Sequence, residues 1–220
     1  FGQGMTYHHG NLRKVLLDRA AAVIAEQGIE ALSLRALARD IGVSHAAPAR
    51  HFRDKADLLR ALATEGNHRL LDYVLAAADA AGTDPLVRYN ALGQAYVRFS
   101  LEFPAYYRTI THPEVAAHAD TDLRQSRQRW HEIVADAARE AQAAGWLPDE
   151  DVEDIVIYST ATVRGVAAML ADPTQSSMPK RQDLDSFIER MVRLIIDPEA
   201  PQKSLPGNKA PKRNPERKRK

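Results

Sequence analysis

Gly42-Val43-Ser44 is a three-residue link with a helical segment on each side, and no other feature of the chain narrows its possible folds so much. Ahead of the link, Ser33 is a good N-cap and Leu34, Leu37, Ala38 and Ile41 fall at i, i+3, i+4 and i+7. Gly42 ends that segment after barely two turns. Behind the link, Ser44 caps a third helix predicted over residues 44–52, and Asp54 caps a long fourth helix beginning near Lys55. A first helix precedes them all: from Asn11 the apolar residues Leu12, Leu16, Ala20, Val23 and Ile24 recur at helical spacing, and Gly28 stops it. Two short helices joined this tightly make a helix-turn-helix. Ala38 must be small because the two helices cross closely there, and Gly42 readily adopts the backbone angles the turn demands.

Such a pair offers its second helix to the major groove of double-stranded DNA while the first braces it against the backbone. His45, Ala46, Ala47 and Arg50 fall on or near the exposed face of that second helix. Ser33, Ser44, His51 and Lys55 sit at helix starts or flanks, where hydroxyls, imidazole, ammonium and free backbone N–H groups hold phosphates. The pattern alone fits a plain three-helix packing element as well.

The rest of the chain stays helical, with spans expected near 55–81, 84–103, 105–112, 120–145, 149–171 and 183–197, and no period-two stretch long enough for a strand. Gly82 to Pro85, Phe103-Pro104, His112-Pro113, Gly145 to Pro148 and Asp172-Pro173 punctuate these spans. The fold class is therefore all-α. A helix-turn-helix domain is expected over residues 5–54 and a helical sensing and dimerisation domain over 55–198. Residues 199–220, poor in apolar side chains, are expected to form a disordered basic tail. Phe1 to Gly4, ahead of Met5, are set aside from the fold.

The net charge of +1 hides a division along the chain. Residues 1–60 carry nine Lys/Arg against six Asp/Glu, residues 203–220 eight against one, and the stretch between them 13 against 22. The ends attract a polyanion and the middle repels it, so nucleic acid is expected to meet the ends. In the tail, phosphate attraction is one role and simple solvation the commoner one. There is no cysteine, hence no disulfide and no thiolate metal site. No run approaches the roughly 18 consecutive apolar residues of a membrane helix, and no signal peptide is evident; a cytoplasmic location without membrane contact is expected.

Leu34-Arg35-Ala36-Leu37-Ala38 through Ile41-Gly42-Val43-Ser44, followed by His51-Phe52-Arg53-Asp54-Lys55-Ala56-Asp57-Leu58-Leu59, resembles the N-terminal domain of the tetracycline-repressor (TetR) family. Tyr7-His8-His9-Gly10-Asn11-Leu12 is similar to the lead-in of one branch. The resemblance implies a homodimer on a palindromic operator, usually a repressor, released when a small molecule enters the larger domain. It places Arg35, Ser44, His45, Ala46, Ala47, Arg50, His51 and Lys55 at positions that meet DNA in the family. One departure stands out: the family usually has tyrosine two residues before His51, where its hydroxyl holds a phosphate, and this chain has Ala49. Two lost hydrogen bonds per dimer cost roughly 1 to 3 kcal/mol, less than the about 4 to 10 kcal/mol that separates specific from non-specific binding. Ala49→Tyr is therefore expected to tighten operator binding; an unchanged or weaker affinity at fixed salt would count against that assignment.

In the larger domain Tyr89, Tyr96, Phe99 and Phe103 recur along one face of a helix, with Tyr106, Tyr107, Trp130 and Tyr158 further on. Most such stripes are core. A small-molecule site, apolar with a few polar tips, is expected to draw on Tyr89, Tyr96, Phe99, Phe103, Tyr107, Trp130, Tyr158 and Thr162. Phe103 to Arg108 and Val163-Arg164-Gly165 resemble the TetR branch whose C-terminal domain has a Trp, His and Gly signature; here Gly165 remains, with Thr160 and Arg164 in the other places. Ala161, Gly165 and Ala168 present small residues that allow close helix approach, and Phe187, Ile188, Met191 and Ile195 extend an apolar face beside Leu184, so the last two helices are expected to form the dimer contact. Packing inside one chain is the alternative. A palindrome favours the dimer, since its two reading heads stand roughly 34 Å apart.

Enzyme chemistry finds little footing. No Gly-x-Ser-x-Gly elbow, phosphate-binding glycine loop or His-Glu-x-x-His occurs. His112 and His118 lack convincing ligand spacing, and the carboxylates of Asp149 to Asp154 suit a helix start. No cofactor or metal is called for. A binding module without an effector stays open beside the sensing reading, and the identity of an effector is not written in these residues.

Overall fold

The computed structural model describes residues 12–171 and 183–196. The lead-in through Asn11 and the basic tail lie outside these. Helix α1 (Leu12–Gln27) buries Leu16, Leu17, Ala20, Val23 and Ile24, the apolar period read in the sequence, and gives way at Gly28, whose φ of 86° is the left-handed region that glycine enters freely. A 3-10 turn, Ile29–Ala31, leads to α2 (Leu34–Asp40), whose N-cap Ser33 accepts from the Ala36 N–H. Gly42 follows with φ 73°, and the Val43 N–H donates to the Ala38 carbonyl at 2.9 Å, closing the tight turn.

The helix expected over residues 44–52 is replaced by turns and one 3-10 turn, Pro48–Arg50. Pro48 has no N–H to return to the Ser44 carbonyl, so the ladder cannot start there. Ala47 N donates to Ser44 O instead, and His51 N and Phe52 N both reach Pro48 O, each at 2.9 Å. Buried Pro48 and Phe52 anchor this compact element to the core.

Asp54 then caps α3 (Lys55–Ala80) by accepting from Asp57 N at 2.7 Å, while Asp57 accepts from Arg53 N at 3.0 Å. After α4 (Pro85–Glu102) and α5 (Pro104–Thr111) comes a short helix that the sequence reading missed, α6 (Pro113–Ala117). Pro113 was read as a break, yet proline also suits the first helical position. The chain continues through α7 (Thr121–Ala143), α8 (Val152–Ala171) and α9 (Leu184–Ile196). No strand occurs among the described residues.

α3 and α4 are the hub: α3 packs on α4, α5 and α7, and α4 also meets α8, α7 and α9. One continuous apolar core runs from Leu16, Leu37 and Phe52 through Leu58 and Leu62 to Phe99 and Leu123, so the helix-turn-helix and the helical body share packing. At Gly93 a Cβ would lie 2.8 Å from Val192 Cγ1, and this glycine lets α4 and α9 touch. By length and composition one helix, α8, is apolar enough to cross a bilayer. Ser159, Thr160, Thr162 and Arg164 interrupt its apolar run, and it packs against α4 and α7.

Candidate nucleic-acid interface and effector cavity

The residues singled out for DNA contact lie on α2, on the turns that follow it and at the start of α3. Ser33 and Arg35 are exposed at the start of α2; Ser44, His45, Ala46, Arg50 and His51 are exposed on the turns that follow. Ala47 is half-buried, and so is Lys55, whose Nζ donates to the Glu30 carbonyl at 3.3 Å. This ties Lys55 to the turn before α2 and leaves only part of its ammonium for a phosphate. The side chains of Arg35 and Arg50 make no ion pair or hydrogen bond among the described residues. Ala49 is exposed beside them.

Behind the core, the aromatic stripe of α4 divides. Phe99 and Phe103 pack with Tyr73, ring centroids 5.1 to 5.8 Å apart, and line neither of the two spaces that Trp130 borders. Tyr89 hydrogen-bonds Ser159 Oγ at 2.6 Å, stacks on Trp146 at 5.2 Å and faces a small apolar void of about 30 Å³. Tyr96 stacks on Trp130 at 5.5 Å and lines a larger cavity of about 390 Å³ with Asn67, Arg127, His131, Thr160 and Arg164. Trp130 borders both spaces. Burial holds the Tyr96 hydroxyl well above the ordinary phenol range, opposed by the nearby Arg164 charge. It is a neutral hydrogen-bonding group at any physiological pH.

Tyr107 packs against Tyr96 at 6.2 Å but opens to an outer groove with Arg164 and Gly165. Tyr158 is 61% exposed on the outer face of α8 and Thr162 bonds back to its carbonyl; neither lines the larger cavity. Arg127 and Asn67 were not anticipated. The signal was present in α7: Leu123, Arg127, Trp130 and Val134 follow one helical stripe, and a lone arginine on an otherwise apolar face marks a polar interior.

Ala161, Gly165 and Ala168 lie exposed on α8 between Ile157 and Met169, which are 64% and 48% exposed. On α9, Phe187 and Met191 are half-buried, whereas Ile188 and Ile195 are taken up by the core of the single chain. They are thus unavailable at its surface, contrary to their place in the expected dimer contact.

A reading head of one short helix and a 3-10 turn with exposed arginines, packed on an all-helical body that holds a cavity, fits a helix-turn-helix regulator of transcription. The chain belongs to the TetR family. Residues 16–62 match the family model described as bacterial regulatory proteins, tetR family, and residues 89–195 match that described as tetracyclin repressor-like, C-terminal domain. The chain is 29% identical over 157 residues to the HTH-type transcriptional regulator BetI of Rhizobium meliloti (strain 1021), covering 70% of this chain and 75% of that protein. Among solved structures, a protein of unknown function from Rhodococcus sp. RHA1 is 33% identical, covers 89% of this chain and 96% of its own, and superposes with a TM-score of 0.75. The fatty acid degradation regulator FadR from Bacillus halodurans shares the fold at 16% identity, with coverages of 89% and 97% and a TM-score of 0.67. This is a family of transcription regulators and not of enzymes.

Proposed function

We propose that the protein is a homodimeric, ligand-responsive repressor acting in the cytoplasm, which binds a palindromic operator and is released when a small molecule occupies the larger cavity. One observation carries the ligand response. Arg127 on the cavity wall donates to the Ile110 carbonyl of α5 at 3.1 Å, and Arg108 on the same helix donates to the Ile24 and Ala25 carbonyls at the end of α1, at 3.0 and 3.2 Å. A charged clamp thus links the cavity wall to the helix that buttresses the reading head. Anything that draws Arg127 inward disturbs α5, and α5 carries that displacement to α1 through bonds of about 1.5 to 3 kcal/mol each. Assignment to the branch with the Trp, His and Gly signature rests on Gly165 alone, because Thr160 and Arg164, which line the cavity, replace the other two signature residues.

The dimer reading rests on the outer face of α8, where small and exposed apolar residues form a strip that the other described residues leave open. Nothing lies within 4 Å of a Cβ built at Gly165, so a side chain there leaves the protomer undisturbed. Gly165→Glu is expected to convert a dimer into a monomer at micromolar concentration while its melting temperature as a monomer stays high, as read by sedimentation. A wild-type monomer at that concentration removes the dimer from the proposal. The function is tested by selecting bound duplexes from a random DNA library with the purified full chain: an enriched palindrome supports the reading, and a selection without enrichment opposes it.

A further inference from the structure

Among the described residues, several partly shielded arginines are matched to acids. Arg60 bonds Asp57 at 3.1 Å, Arg88 bonds Asp79 at 3.2 Å and Arg98 bonds Asp185 at 3.2 Å, all at partly shielded sites. Arg127 and Arg164 differ. Both line the cavity bounded by α3, α4, α5, α7 and α8, and among the described residues neither has a carboxylate within 4 Å. No Asp or Glu lines that cavity at all. Glu153, outside the lining, lies 3.3 Å from the ring of the lining residue His131. Burial, and then the charge of Arg164, lower the affinity of the Arg127 guanidinium for its proton. Two like charges facing a half-enclosed space disfavour the empty state unless an anion enters.

The remaining walls say what the anion is attached to. Leu70, Ile110, Val156 and Trp130 are apolar, and Tyr96, Asn67 and Thr160 supply neutral polar groups at separate points. Asn67 already spends its amide on Ser126 Oγ, at 3.1 Å. A cavity of about 390 Å³ lies within the range of small-molecule sites. A planar carboxylate suits a guanidinium through two parallel hydrogen bonds, and a flat or branched hydrocarbon body suits the face of Trp130.

We propose that the effector is a small organic carboxylate whose charged end is held by Arg127 and Arg164 and whose apolar body lies against Trp130 and Leu70. This rests on the reading of the larger cavity as the effector site. It also gives the clamp a trigger, because a carboxylate competes with the Ile110 carbonyl for Arg127.

The test uses the full-length protein with three probe pairs, benzoate, phenylacetate and hexanoate, each beside its neutral primary amide. Binding is read by melting temperature and by the fluorescence of Trp130. At a hundred times its Kd, a bound carboxylate is expected to raise the melting temperature by about 5 to 10 °C, with no comparable effect of its amide. Arg127→Gln is expected to weaken carboxylate binding at least tenfold and Arg127→Lys to restore part of it. Arg164→Gln, at an exposed position that leaves the core intact, is expected to do likewise. The proposal is overturned if no carboxylate binds, if amides bind as well, or if both glutamine variants bind like the wild type. Operator affinity measured on the same samples separates the two readings. A carboxylate that binds through the arginines without releasing DNA upholds the anion site and removes the release mechanism, and a neutral compound that releases DNA where no carboxylate binds does the reverse.

Discussion

Truncating Phe99 to alanine lowers the melting temperature by about 6 to 20 °C. The ring is 1% exposed and lies in the seam between α3 and α4, where Tyr73 meets it edge-on at 5.8 Å and Phe103 at 5.1 Å. Removing a fully buried phenyl group costs about 3 to 5 kcal/mol, because the transfer free energy is lost and rigid helices on either side cannot close the void. For a chain of this length each kcal/mol moves the midpoint by about 2 to 4 °C. Phe99→Leu keeps most of the volume and is expected to lose less than half as much. Thermal or urea melting of both variants checks the ranking. A loss under about 1 kcal/mol for the alanine variant would mean that this seam repacks, and that the helical body is softer than its close contacts imply.

Replacing Arg50 with alanine has the opposite profile: stability stays near wild type and operator affinity collapses. Arg50 is exposed and its guanidinium has no partner among the described residues, so its removal leaves no buried partner behind there. Each arginine contact to a base edge or phosphate is worth about 1 to 3 kcal/mol, and a dimer presents two. Affinity is expected to fall at least thirtyfold, corresponding to the lower end of about 2 to 6 kcal/mol. Titration at several salt concentrations distinguishes the roles. A shallower salt slope identifies a phosphate contact, and an unchanged slope with relaxed sequence preference identifies a base contact. Unaltered affinity would take Arg50 out of the interface.

How far the sequence discloses this molecule depends on how local the determining physics is. The helices of the body and their caps at Asp54, Asp84 and Asp120 follow from spacing and side-chain chemistry within a few residues, and each of these carboxylates accepts the backbone N–H groups that its position suggests. Pro48 and Pro113 mislead in opposite directions, since proline both denies a donor and starts a helix, and only the surrounding packing decides. The stripe on α4 is legible as a stripe, yet the same period carries Phe99 into solid core and Tyr96 to a cavity wall. Arg127 and Arg164 come from different helices, and their approach depends on how α7 and α8 pack. No spacing in the sequence announces that meeting. For the same reason Ile188 and Ile195 read as surface on α9, while both are buried and α9 packs on α4, where Gly93 makes room for Val192.

Gly66 brings α3 against α5 so closely that a Cβ there would stand 3.1 Å from Ile110 and 3.2 Å from Tyr106. α3 is otherwise an unbroken helix of 26 residues, about 39 Å of rigid rod. The close approach at Gly66 is a tight rest along that rod, and a pivot there makes α3 a lever. The arm from Gly66 back to Lys55 is about 16 Å, so a tilt of about 5° displaces its tip by nearly 1.5 Å. On the proposed dimer, such a shift at each reading head would spoil the fit to both halves of a palindrome at once, so that a small disturbance beside the pivot would be magnified into a change of grip on DNA.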